Sequence, residues 1–143
     1  MMMRRSFFAA SAALGLAQLP RAAAAQRPAR AQRLLIQISD YDQRVWGLAL
    51  GNARNVRNDL GPGNVQLEIV AYGPAIHMLE AESDWRDRVT QVLDESIRVI
   101  ACENTMATVG LKRDDMLGGV DFVKTGLAHI MQRELEGWAY ARP

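Results

Sequence analysis

The chain contains a single cysteine, Cys102, and two histidines, His77 and His129. A cysteine does chemistry as its thiolate, which a nearby helix N-terminus or cation favours and a nearby carboxylate opposes. Cys102 lies in the stretch Arg98–Met106, RVIACENTM. Val99 and Ile100 make a β-branched apolar lead into it, and Glu103-Asn104-Thr105 breaks the pattern. This reads as a buried strand that ends at a loop, with Thr105 capping a short helix from Met106. Positions just beyond the carboxyl ends of strands are where α/β sheets collect ligands and catalytic groups. The expected helix would help the thiolate; Glu103 would oppose it if its side chain turns the same way. The competing reading is a small buried hydrophobe, because free cysteine is among the most buried residue types. One cysteine excludes an intramolecular disulfide, so any relay or redox cycle needs a second molecule.

Other groups could share that sheet edge. His77 follows Gly73-Pro74 in an expected strand-to-helix loop, where a Cys–His pair would activate a thiol or bind a soft metal. Asp40 lies at the end of the first strand and could face the same crevice, while helix capping accounts for its neighbour Asp42. Asn104 and Thr105 could donate hydrogen bonds to an anionic sulfur species, or serve only as loop and cap residues. His129, one position from an apolar stripe, reads as structural or surface. No ligand spacing matches a metal motif, so no metal and no cofactor are assigned. Gly61-Pro62-Gly63 and Gly118-Gly119 lack the context of a phosphate loop and read as turns.

The elements that position these groups follow from periodicity. Arg33–Ser39 is a near-continuous apolar strand of the kind covered on both faces. A helix over about Gln43–Leu60 places Trp46, Leu50, Ala53, Val56 and Leu60 on one face, with Asp42 as N-cap and Tyr41 and Trp46 as a hydrophobic staple. Val65–Tyr72 is the second strand, and Ala75–Leu79 a single turn. Trp85–Ser96 is a helix capped by Ser83 or Asp84, and the strand carrying Cys102 follows it. Val120–Val123 is a short strand. Gly126–Glu136 is a helix that Thr125 caps and whose Leu127, Ile130, Met131 and Leu135 should be buried, and Trp138-Ala139-Tyr140 is a last strand. Strands alternating with helices at this spacing predict one α/β sandwich with a mainly parallel sheet and right-handed crossovers.

Met1–Ala25 reads as a cleavable export signal: Arg4-Arg5-Ser6-Phe7-Phe8 as a charged n-region of twin-arginine type, Phe7–Leu16 as a modest apolar segment and Ala23-Ala24-Ala25 as the cleavage site. The expected location is the bacterial periplasm, with residues 26–32 a flexible arm and 33–143 one domain. The apolar stretch is too short and alanine-rich to span a bilayer. Net charge is +1, from 17 basic and 16 acidic residues, but Arg4, Arg5 and Arg21 fall in a segment that holds no acid. The rest is slightly acidic, which gives it no charge reason to bind nucleic acid or an anionic membrane.

Five segments in order, RLLIQISD, LGNARNVRNDLG, VQLEIVAYGP, VIACENTM and EGWAYARP, together resemble the DsrE/DsrF-like family, in particular its small stand-alone, YchN-like members. The resemblance covers residues 33–143. It implies a three-layer α/β/α sandwich with a largely parallel five-stranded sheet, and trimers or hexamers. It also implies sulfur-relay chemistry, in which a cysteine after the third strand carries a persulfide between donor and acceptor proteins. Cys102 occupies the matching position. The expectation is therefore an exported persulfide carrier, or a thiol-based redox or sulfur sensor, acting through Cys102. The alternative is a non-catalytic oligomer that binds a small ligand near Cys102, His77 and Asp40. Enzymatic turnover is left open, since no base is visible beside the thiol.

Overall fold

The structure, a computed structural model, describes residues 32–143. The expected signal peptide (1–25) and the arm (26–32) lie outside the described residues, apart from Gln32, which opens the first strand. Five strands, β1 (Gln32–Ile38), β2 (Val65–Ala71), β3 (Arg98–Cys102), β4 (Asp121–Val123) and β5 (Ala139–Ala141), form one all-parallel sheet in the order β4-β3-β2-β1-β5. The helices are α1 (Gln43–Leu60), α2 (Arg86–Asp94), α3 (Glu103–Val109) and α4 (Gly126–Leu135), with 3-10 turns at Gly73–Leu79 and Arg113–Asp115. The predicted α/β class and parallel sheet are what the chain forms.

Local chemistry explains the first crossover. Asp42 Oδ1 accepts the amide of Arg44 at 2.8 Å and caps α1. Tyr41 meets Trp46 edge-on, with ring centroids 5.2 Å apart, which is the expected staple. Gly61, at φ +89°, ends the helix in a conformation that costs other residues strain. The apolar face of α1 buries Trp46, Ala49, Leu50 and Ala53.

The two faces of the sheet are covered unequally. On one, Ile36, Ile38, Ile69 and Val99 pack into a large core with Trp46 and Leu50 of α1, Val89 and Val92 of α2, and Met106 of α3. On the other, Leu35, Val70 and Ile100 meet a smaller set, Ile130 of α4 and Trp138, with the half-buried Tyr72 and Val123 packed against them. Burying Ile130 supplies about 2 kcal/mol, little for docking a ten-residue helix, and polar anchors supplement it. Glu68 of β2 is 1% exposed. Its carboxylate accepts Arg133 Nε at 3.0 Å and Arg133 Nη2 at 2.8 Å, lies 2.8 Å from His129 Nε2, and pairs with Arg98 of β3 at 2.5 Å. Burial pushes the Glu68 carboxyl up, but hydrogen bonds from Arg133 and His129 and the charges of Arg133 and Arg98 outweigh it and hold the group below the usual carboxylate range.

That anchor overturns the expected burial of α4. His129 and Arg133 turn toward the sheet, so Leu127, Met131 and Leu135, at i, i+4 and i+8, point outward and are 60%, 57% and 81% exposed. Among the described residues, no second helix packs on this face to cover them.

Candidate functional site

Cys102 is the last residue of β3 and, at φ −83° and ψ 113°, the N-cap of α3. The helix therefore starts at Glu103, three residues earlier than its sequence suggests, because strand and helix join with no intervening loop. This corrects the role of Thr105. It is not a cap but sits in the first turn, where its hydroxyl accepts the Gly73 amide at 3.0 Å. The same hydroxyl helps to lower the Cys102 thiol.

The sulfur lies where two helices begin. Gly126, the first residue of α4, donates its amide to Cys102 Sγ at 3.3 Å. The amides of Asn104 and Thr105 and the Thr105 hydroxyl add to the same side of the balance. Burial pushes the thiol up, and the Gly126 amide, the Thr105 hydroxyl and the Thr105 and Asn104 amides outweigh it, so the thiol sits below its ordinary value. In the thiol form its proton points toward the Lys124 carbonyl, 3.9 Å away. The residue is 4% exposed. Glu103, the group that could have opposed the thiolate, is drawn instead to Arg113, whose Nε donates to it at 2.8 Å.

Gly126 makes this geometry possible. A Cβ there would fall 3.3 Å from Cys102 Cβ and 3.4 Å from the Tyr72 ring and Cβ, tighter than most real packing tolerates. Tyr72 continues the polar row along the sheet edge: its hydroxyl accepts Gln37 Nε2 at 2.7 Å, and the Gln37 carbonyl accepts the Tyr140 hydroxyl.

The expected site residues therefore divide. Cys102, Asn104 and Thr105 come together, and the Asn104 side chain donates to Thr125 Oγ1 at 3.0 Å, tying the start of α3 to the N-cap of α4. Asp40 pairs with Arg142 at 3.0 Å, and its carbonyl accepts the Trp46 indole N–H at 2.8 Å. His77 Nδ1 lies 2.5 Å from Glu80 Oε1, in a cavity whose lining does not include Cys102. Sequence reasoning missed Gly126 and Tyr72. A glycine placed as the first residue of a helix, where no turn requires one, was the available signal for Gly126; nothing local marks Tyr72. Among the described residues, no group of three or more His, Cys, Asp or Glu side chains is placed to hold a metal ion, and no helix is long and apolar enough to cross a membrane.

A protein of unknown function from Methanobacterium thermoautotrophicum, MTH1491, is 37% identical to this chain, with a TM-score of 0.75 over 78% of this chain and 99% of that one. The ychN protein of E. coli matches with a TM-score of 0.64 at 13% identity, over 80% of this chain and 100% of its own. A conserved protein of unknown function from Bacteroides thetaiotaomicron, BT1422, matches with a TM-score of 0.63 at 14% identity, over 78% and 95%. The last two likenesses concern the fold alone. No family model and no curated protein matches the chain.

Proposed function

The chain belongs to the family of the M. thermoautotrophicum protein MTH1491, and from that premise we propose that it is a DsrE-like sulfur carrier or thiol-based sulfur sensor acting through Cys102. The observation that carries this reading is the set of N–H and O–H donors converging on one sulfur. Such a cradle stabilises negative charge on sulfur, whether on a thiolate or on the terminal sulfur of a persulfide. In the transfer step the Cys102 thiolate attacks the terminal sulfur of a donor persulfide. The new S–S bond forms as the donor's S–S bond breaks: Cys102–S⁻ + R–S–SH gives Cys102–S–SH + R–S⁻. An acceptor thiolate reverses the exchange, and no external oxidant or reductant is consumed.

The protein acts in the bacterial periplasm after export by its twin-arginine-type signal, as a homo-oligomer (a trimer or hexamer) that meets separate donor and acceptor proteins. The exposed stripe Leu127, Met131 and Leu135 supports assembly, because a monomer would leave it in water.

The second reading is a non-catalytic, oligomeric small-ligand-binding protein with a structural Cys102. The 4% exposure of that residue favours it. Intact mass of the exported protein, taken before and after a reductant and after native thiol alkylation, separates the two. A reductant-sensitive gain of one or more sulfur atoms, absent in Cys102→Ser, supports carriage. A bare thiol that polysulfide leaves unmodified and that alkylates only after denaturation makes Cys102 structural.

A further inference from the structure

A cavity of about 380 Å³ opens where the loop after β1, the 3-10 turn Gly73–Leu79 and the approach to α2 converge. It is separate from the thiol. Its lining combines Tyr41, Trp46 and Trp85 with Glu80, Glu82 and Asp84, and contains no lysine or arginine. From this pairing of aromatic rings with the carboxylates of Glu82 and Asp84 we infer a binding site for a small alkylammonium ligand, a diamine being the simplest fit.

Tyr41 is held in place: Trp46 meets it edge-on at 5.2 Å and His77 at 6.0 Å. It nevertheless remains 66% exposed at the rim. Trp85 already carries the Arg88 guanidinium 4.6 Å from its ring centre, so the ring open to a second cation is that of Tyr41. The carboxylates differ from their neighbours. Asp40, Asp42 and Glu95 are matched by Arg142, Arg44 and Arg54, and Glu80 by His77. Glu82 and Asp84 make no ion pair or side-chain hydrogen bond among the described residues. Both are exposed at the cavity, where two carboxylates of one sign reinforce each other's field. Ammonium N–H groups would donate to Glu82 and Asp84, while the ligand's methylenes lie against Tyr41. The volume suits a ligand of a few carbons rather than a folded partner.

The test is calorimetric titration of the whole exported protein with butane-1,4-diamine, using butane-1,4-diol as neutral isostere and sodium chloride at matched ionic strength as control. The expected result is saturable binding of one diamine per chain and none of the diol. The double variant Glu82→Gln/Asp84→Asn, which breaks no bond within the fold, should bind about tenfold more weakly. Tyr41→Ala should weaken binding while leaving the Glu80–His77 contact in place. Cys102→Ser should bind as the parent does, so the outcome is independent of the sulfur reading. Heat matching the salt control, or binding unchanged in the double variant, would overturn the proposal.

Discussion

Two buried polar groups lie under the same helix and are treated oppositely. Beneath α4, Glu68 is enclosed by the cations Arg133 and Arg98 and by the His129 ring, all at hydrogen-bond distance. At the start of α4, Cys102 meets backbone amides and one hydroxyl, and among the described residues no charged side chain is bonded to its sulfur. Full counter-charges fix a carboxylate in one state and lock the helix to the sheet. Dipoles stabilise an anion without neutralising it. One end of α4 is an anchor, and the other surrounds a sulfur with dipoles.

The contrast breaks most severely at the anchor. Glu68→Ala should cost about 3–5 kcal/mol in denaturant unfolding, because Arg133 and His129 lose their buried partner. Acid should expose the same group. The folded Glu68 pKa lies below the unfolded one, so its contribution is complete above about 4.5 and is lost as pH falls through the lowered folded value. Glu68→Gln should therefore flatten the acid limb of stability against pH.

Gly126→Ala attacks the other end. Its Cβ would crowd Cys102 and Tyr72, costing about 1–3 kcal/mol and withdrawing an amide from the sulfur. The pH midpoint of native Cys102 alkylation, expected below the ordinary thiol value in the parent, should move upward. Thr105→Val sharpens the comparison with less damage. It strands the Gly73 amide, at about 1–2 kcal/mol, and raises the alkylation midpoint, and Thr105→Ser should restore both. The smallest expected effect on the isolated fold is that of Leu127→Ser/Met131→Ser. Each chain should keep its secondary structure by circular dichroism, while light scattering reports a smaller assembly.

The regular parts of this fold are local in origin. Asp42, Tyr41 and Trp46 mark the start of α1 within six residues, Gly61 marks its end, and β2 and β3 follow from alternating or continuous β-branched runs. α4 was misjudged for the opposite reason. Its leucines and methionine have helical spacing, but which side faces the sheet depends on Glu68, some sixty residues away in sequence. The site divided the same way. Cys102, Asn104 and Thr105 are neighbours in the chain and were legible together. His77 and Asp40 lie at the same sheet edge, but adjacent Glu80 and distant Arg142 claim their side chains.

The sequence alone therefore determined the element order, the parallel α/β class and the position of the thiol at a strand's carboxyl end, because hydrophobic period and capping act over a few residues. Only the tertiary structure decided the thiol's surroundings. The Gly126 and Gly73 segments reach Cys102 and Thr105 through long-range packing, and no local pattern encodes which distant amide will point at a sulfur.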